Sequence, residues 1–140
     1  MNRVPGTIAG VERAASIAIV DVSALGQNLT VTLIGTGTAV GPEAEDWRAG
    51  MPVTLLFAET EVALAKNLSG LISMRNRISV SVVAIERGSI LCRVVLQAEG
   101  AQLVSIITTR AAHALALACG DRIEALIKAN AMRVVAGELA

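Results

Sequence analysis

Aromatic side chains are nearly absent from this sequence: it has one tryptophan, Trp47, one phenylalanine, Phe57, and no tyrosine. Surfaces that bind single-stranded nucleic acid usually stack bases on such rings along a basic groove. Twelve lysines and arginines are balanced by twelve aspartates and glutamates, so no net charge draws the chain to nucleic acid or to an anionic membrane. No apolar run nears the ~20 residues of a membrane-spanning helix. Ile17–Val22, Val53–Ala58 and Ile90–Leu96 have the length of strands, and direct membrane insertion is not expected. Met1–Pro5 has no apolar h-region, so no secretory signal is read there. Cys92 and Cys119 are the two cysteines; lacking CxxC spacing, both are expected to be reduced core thiols in a cytoplasmic protein.

Catalytic constellations are scarce as well. His113 is the single histidine, placed among alanines and leucines and expected to be a packed or interface residue. No Cys, His, Asp or Glu cluster has metal-ligand spacing. There is no P-loop, dinucleotide fingerprint or nucleophile elbow, and no paired acid and base. Gly35–Thr38 reads as a flexible loop. The sequence points to a binding protein, not an enzyme.

What is present is apolar strand. Apolar residues make up 54% of the 140 residues, and mean hydropathy is +0.63. A chain this short has limited interior, so subunit interfaces are the natural place for the excess. An internal repeat organises it. Asn2–Ile8 lines up with Asn76–Val82 at an offset of 74 residues, and Arg48–Val53 with Ala118–Ile123 at an offset of 70. The two units are therefore 1–66 and 67–140. Each reads as three strands, a helix and two strands, the order of an OB-fold barrel. In the second unit the strands are expected at Asn76–Glu86, Ser89–Leu96, Gln102–Thr108, Arg122–Lys128 and Met132–Val135. Arg87-Gly88 and Ala98–Gly100 are the turns. A helix over Thr109–Leu117 starts after a Thr108 N-cap and ends at Gly120. Its counterpart in the first unit is a short helix near Glu43–Arg48. The expected fold is all-β with one short helix per unit: tandem five-stranded OB-like barrels. Several strands are apolar on both faces, so a second unit or chain should cover the outer one.

The remaining chemistry lies in hydrogen-bond donors at irregular segments. Ser73–Asn76 closes the inter-unit linker, Thr108–Arg110 opens the helix, and Lys128-Ala129 ends a strand. Free backbone N–H groups at a helix start suit an anion. The same residues also read as turn formers, a cap and solvated surface charges.

Ser73-Met74-Arg75-Asn76-Arg77-Ile78 resembles the Ser-Ala-Arg-Asn-x-Leu signature of the molybdate-binding Mop domain. Ile107–Ala111 is similar to its Ile-Thr-x-x-Ser segment, Leu115–Gly120 to Leu-x-Leu-x-x-Gly, and Ile127-Lys128-Ala129 to Ile-Lys-Ala. Paired Mop units, also called TOBE domains, occur in molybdate transporter ATPase subunits, in molybdate-responsive regulators and in stand-alone molbindins. Glu61–Ala65 followed by Gly70–Asn76 most resembles the transporter version. This resemblance implies that the chain binds molybdate or tungstate as an oxyanion, with no metal ion or organic cofactor. It implies the regulatory TOBE region of a transporter ATPase, or alternatively a cytoplasmic molbindin that stores molybdate. The opening of the first unit directly on a strand suits either. Implied partners are copies of the chain, a dimer in the transporter setting or a trimer in a molbindin. An ATPase domain and membrane subunit at the inner face of the membrane belong to the first setting. The implied ligands are Ser73, Met74 and Arg75 of one protomer with Thr108 and Lys128 of a neighbour; Asn76 and Ala129 complete the motifs. Ala111 stands where the family has serine. The first unit carries Thr38 opposite Thr108 and Ala58 opposite Lys128, so it is expected to be structural.

Overall fold

The computed structural model describes residues 1–34 and 47–137. Period-two alternation of apolar residues yields strands with one buried face. In the first half these are β1 (Asn2–Ala14), β2 (Ile17–Ala24), β3 (Gln27–Ile34), β4 (Pro52–Phe57) and β5 (Ala63–Ala65). In the second half they are β6 (Asn76–Arg87), β7 (Leu91–Ala98), β8 (Ala101–Thr108), β9 (Arg122–Ile127) and β10 (Arg133–Ala136). One described helix, α1 (Thr109–Ala114), joins β8 to β9. The fold is all-β, in two curled five-stranded antiparallel sheets of OB-like form.

The two sheets exchange their last strands. One has the order β10-β4-β1-β2-β3 and the other β5-β9-β6-β7-β8. β5, from the first half of the sequence, pairs with β9, while β10 pairs with β4. Short 3-10 turns at Glu59–Glu61 and Ala129–Ala131 carry the chain across. A single apolar core runs through both sheets, from Val4, Val20 and Phe57 to Ile78, Leu96 and Met132.

The repeat holds at the level of register. β1 and β6 carry the same irregularity, at Ile8/Gly10 and at Val82/Ala84. The offset is 74 residues up to the end of β3 and β8, and 70 from β4 and β9 onwards, so the first unit has four more residues between those strands. Strand register therefore makes Ile34, not Thr38, the counterpart of Thr108. Thr38, the Gly35–Thr38 loop and most of the expected Glu43–Arg48 helix lie outside the described residues; Trp47 and Arg48 have no regular secondary structure.

Elsewhere the differences are local. β7 starts at Leu91 because the Gly88 N–H donates to the Leu91 carbonyl at 2.9 Å and closes a turn over Ser89 and Ile90. α1 ends at Ala114 because Ala116 adopts a left-handed conformation, φ 48. There the Leu117 N–H reaches the Ala112 carbonyl and the Ala116 N–H reaches that of His113, the pair of bonds that closes a Schellman motif. Gly120 plays no part in that stop. Cys92 is buried as expected, but Cys119, on the exposed loop after α1, is not a core thiol. His113 points outward from α1 and is exposed, not packed. The outer faces keep exposed apolar side chains, among them Val83, Ile90 and Leu91, so the second unit does not cover them.

Candidate functional site

The two motif segments of the second unit lie at strand connections, one within the β5-β9-β6-β7-β8 sheet and one where the chain leaves that sheet for the other. Ser73–Arg75 runs from β5 into β6, and Lys128-Ala129 runs from β9 towards β10. Asn76, the first residue of β6, pairs with Ile127, the last of β9. That register sets Arg75 and Lys128 beside each other just past the pair. Both are exposed, and neither side chain has a hydrogen bond or ion pair to any described residue. Ser73 is exposed too, while Met74 and Ala129 are half-buried. Their neighbour Arg77 is taken up elsewhere: its guanidinium holds Glu124 at 2.8 and 2.7 Å. The same bonds lower the Glu124 pKa and raise that of Arg77.

Asn76 is not available as a ligand. Its side chain is fully buried, accepting from the Thr30 N–H at 2.8 Å and donating to the Thr30 carbonyl at 2.9 Å. Asn2 repeats this on Val104 at 2.8 and 2.9 Å. β3 and β8 are sheet edges, and each asparagine satisfies the exposed backbone of the other unit's edge strand. A buried amide can serve such a tie or a ligand, and here it serves the tie.

Thr108 lies on the other side of this rim. As expected it caps α1, its Oγ1 accepting from the Ala111 N–H at 3.0 Å. A hydroxyl that accepts one bond keeps its own hydrogen to donate, so Thr108 remains a donor while the Ala111 N–H is spent. Thr108 and Ala111 line a mostly apolar cleft of about 610 Å³ with Leu91 and Ile106; Thr60–Ala63 form its other wall. Sequence reasoning missed Thr60–Ala63. The signal was in the repeat, since an offset of 70 maps Glu61–Ala63 onto Ala131–Arg133, close behind Lys128. From the cleft, β5 pairs with β9 through Ala63 and Leu126, which leads to Lys128 and then Arg75. Along the ladder Thr108 pairs with Leu91, next to the Cys92–Arg87 pair, which is the far end of β6 from Asn76 and Arg75. Lys128 and Arg75 are therefore brought together, and Thr108 is set apart from Arg75.

Lys66 ties the start of the linker to the loop after α1. Its Nζ donates to the Ala116 carbonyl and to Asp121 Oδ2, each at 3.0 Å. The Asp121 pKa is lowered by the Ala118 N–H first and then by Lys66. Among the described residues no three His, Cys, Asp or Glu converge as a metal site would require, and no helix is long and apolar enough to cross a membrane.

Two interlocked five-stranded OB-like barrels with a Ser-x-Arg-Asn linker and an Ile-Lys-Ala strand end define the tandem Mop architecture. Residues 72–134 match the TOBE domain family model; the second unit is a TOBE domain, and the chain as a whole is a di-Mop protein. Its structure is similar to that of the cytoplasmic molybdate-binding protein ModG in a crystal form with molybdate bound. Identity is 27% over 97% of this chain and 96% of that one, with a TM-score of 0.88. A molybdate-binding protein from Sporomusa ovata matches 43% of this chain and 90% of its own, at 35% identity and a TM-score of 0.42. No curated protein matches the chain.

Proposed function

We propose that this chain binds molybdate or tungstate as an intact oxyanion, in the manner of a cytoplasmic molbindin, and catalyses no reaction on it. The observation that carries this reading is the pair of unpartnered cations, Arg75 and Lys128, set side by side by the Asn76–Ile127 register within a TOBE domain. A tetrahedral dianion needs about two formal cations and a shell of N–H and O–H donors. Arg75 and Lys128 fit the first need, and Ser73, the Thr108 hydroxyl and backbone N–H groups fit the second. Likeness to ModG over nearly the full length of both chains favours the molbindin reading over the transporter regulatory region suggested by Glu61–Asn76.

The site is shared between copies of the chain. Thr108 and Arg75 lie too far apart in one protomer to hold one small ion, and exposed Ile90 and Leu91 lie beside the Thr108 cleft. A trimer is the expected assembly, with Ser73–Arg75 and Lys128 of one protomer meeting Thr108 of the next, so that Lys128 joins Arg75 in its own chain and is not the neighbour's contribution that the family resemblance implied. The first unit is structural, because Met1 and Ala58 stand at the positions of Arg75 and Lys128.

Calorimetric titration with molybdate, tungstate and sulfate tests the reading. Molybdate and tungstate should bind and the smaller sulfate compete poorly, since fixed donors select on radius as well as charge. Equal affinity for sulfate, or a single 14.4 kDa species in sedimentation at micromolar concentration, would overturn it.

A further inference from the structure

A second cleft, polar and of about 420 Å³, lies where the β2–β3 turn of one barrel meets the outer face of β6, β7 and β9 of the other. Small-molecule sites have volumes of this order. Gln27, Ser79, Ser81, Gln97, Glu99 and Arg122 supply its polar lining. Ser81 pairs with Arg122 on one side and with Gln97 on the other, so these three side chains form one row on one face of the sheet. Ser79 joins that face two residues earlier along β6.

Arg122 and Glu99 line the same cleft, yet their charged groups make no hydrogen bond or ion pair with each other or with any other described residue. Both glutamine amides already donate, Gln27 to the Arg77 carbonyl and Gln97 to those of Ala98 and Ala101. Their carbonyl oxygens remain as acceptors. The Glu99 carboxylate lies over Gly26, where a Cβ would collide with it. Gly26 also has φ 73, so the turn both requires glycine and leaves room for that carboxylate.

The repeat shows that the fold does not need this set. At the matching positions of the first unit stand Pro5 for Ser79, Thr7 for Ser81, Ser23 for Gln97, Leu25 for Glu99 and Pro52 for Arg122. The same strands form there with no charge in the row. Opposite charges have been placed in one cleft, in one unit only, without being spent on each other.

We propose that this cleft binds a small zwitterion, an amino acid whose carboxylate meets Arg122 and whose ammonium meets Glu99. Ser79 and Ser81 donate to the carboxylate, and the glutamine carbonyls accept from the ammonium. The site is separate from the oxyanion residues and involves neither Arg75 nor Lys128.

The test is NMR titration of the full chain, following the side-chain amide signals of Gln27 and Gln97. The probes are glycine, β-alanine and γ-aminobutyrate, which differ in charge separation, with acetate and methylammonium as one-ended controls. At least one zwitterion should give saturable shifts at both amides by about 10 mM, and the controls should not. Arg122→Gln and Glu99→Gln should each weaken that binding about tenfold or more, while molybdate titration of the same samples stays at the parent value. Well-dispersed spectra verify that each variant is folded, and either variant alone suffices. No saturable shift with any zwitterion overturns the proposal. So does acetate binding as well as glycine, or a folded variant that titrates like the parent.

Discussion

Charge, hydrogen-bond capacity and burial together decide which residues of the second unit are free to hold a ligand. Arg75, Arg77 and Lys128 are cations at one rim, but Arg77 is held by Glu124, which leaves two. Replacing Lys128 or Arg75 with alanine should weaken molybdate binding by a few kcal/mol, the usual cost of removing a charged partner from a partly buried anion. Arg133→Ala is the control, since Arg133 is exposed on β10 and lies on no matched motif. Lys66 is unsuitable as one, because it fastens the linker to Asp121. Calorimetric affinities that are equal for Lys128→Ala and Arg133→Ala would remove Lys128 from the site. Asn76 should behave in the opposite way. Asn76→Ala leaves the Thr30 N–H and carbonyl without their buried partner, at a cost of about 2–4 kcal/mol. Urea unfolding should show that loss; an unchanged midpoint would mean that water replaces the amide. The exposed motif residues were legible in the sequence because their spacing survives as a pattern. Asn76 was not, because the same amide in the same motif reads equally as ligand donor or structural tie until its burial is known.

At the scale of elements, the strands were legible and their ends less so. Alternation marks β6 to β9 plainly, whereas the turn at Gly88–Leu91 and the left-handed residue after α1 rest on single backbone bonds without a side-chain pattern. Ala116 is a case that can be measured. An L-residue in that conformation costs roughly 1–2 kcal/mol, and glycine removes the penalty at the price of some unfolded-state entropy. Ala116→Gly should therefore stabilise the protein, by about 1 kcal/mol on that balance. Its φ is 48 and its carbonyl accepts from Lys66, so the Schellman closure and the linker tie both stay in place. Thermal unfolding should show a raised midpoint; a lowered one would mean that the alanine methyl contributes packing that outweighs the strain. α1 carries Ala111 in its first turn and follows Thr108 directly, so a firmer helix end should leave the Thr108 hydroxyl where it is and molybdate affinity unchanged.

For the whole molecule, strand exchange is the feature that the repeat in the sequence concealed. β5 and β10 are three and four residues long, and a short apolar strand reads the same whichever sheet it completes. Division into 1–66 and 67–140 follows the repeat, but it separates each sheet from its last strand. Residues 1–66 alone would form β4 without β10, and residues 67–140 would form β9 without β5. Each piece would also lose the asparagine that satisfies its edge strand, Asn76 for β3 and Asn2 for β8. An edge left with unpaired backbone groups and apolar neighbours aggregates readily, and units of this size have little core to spare. The expectation is that either half expressed alone is unfolded or aggregated, and that the two produced together assemble into a complex whose circular dichroism matches that of the intact chain. Intact protein should unfold in one transition, because the core is continuous across both sheets. Two separate transitions, or a soluble and folded 67–140 that binds molybdate by itself, would show that the exchanged strands are dispensable and that each unit is a domain in its own right. Cleavage of the intact protein within the linker tests the same point without refolding. The nicked chains should stay together through β5–β9 and β4–β10 pairing, yet molybdate affinity should fall when the cut lies between Lys66 and Ser73, because the tie at Lys66 then no longer holds Ser73–Arg75 at the rim.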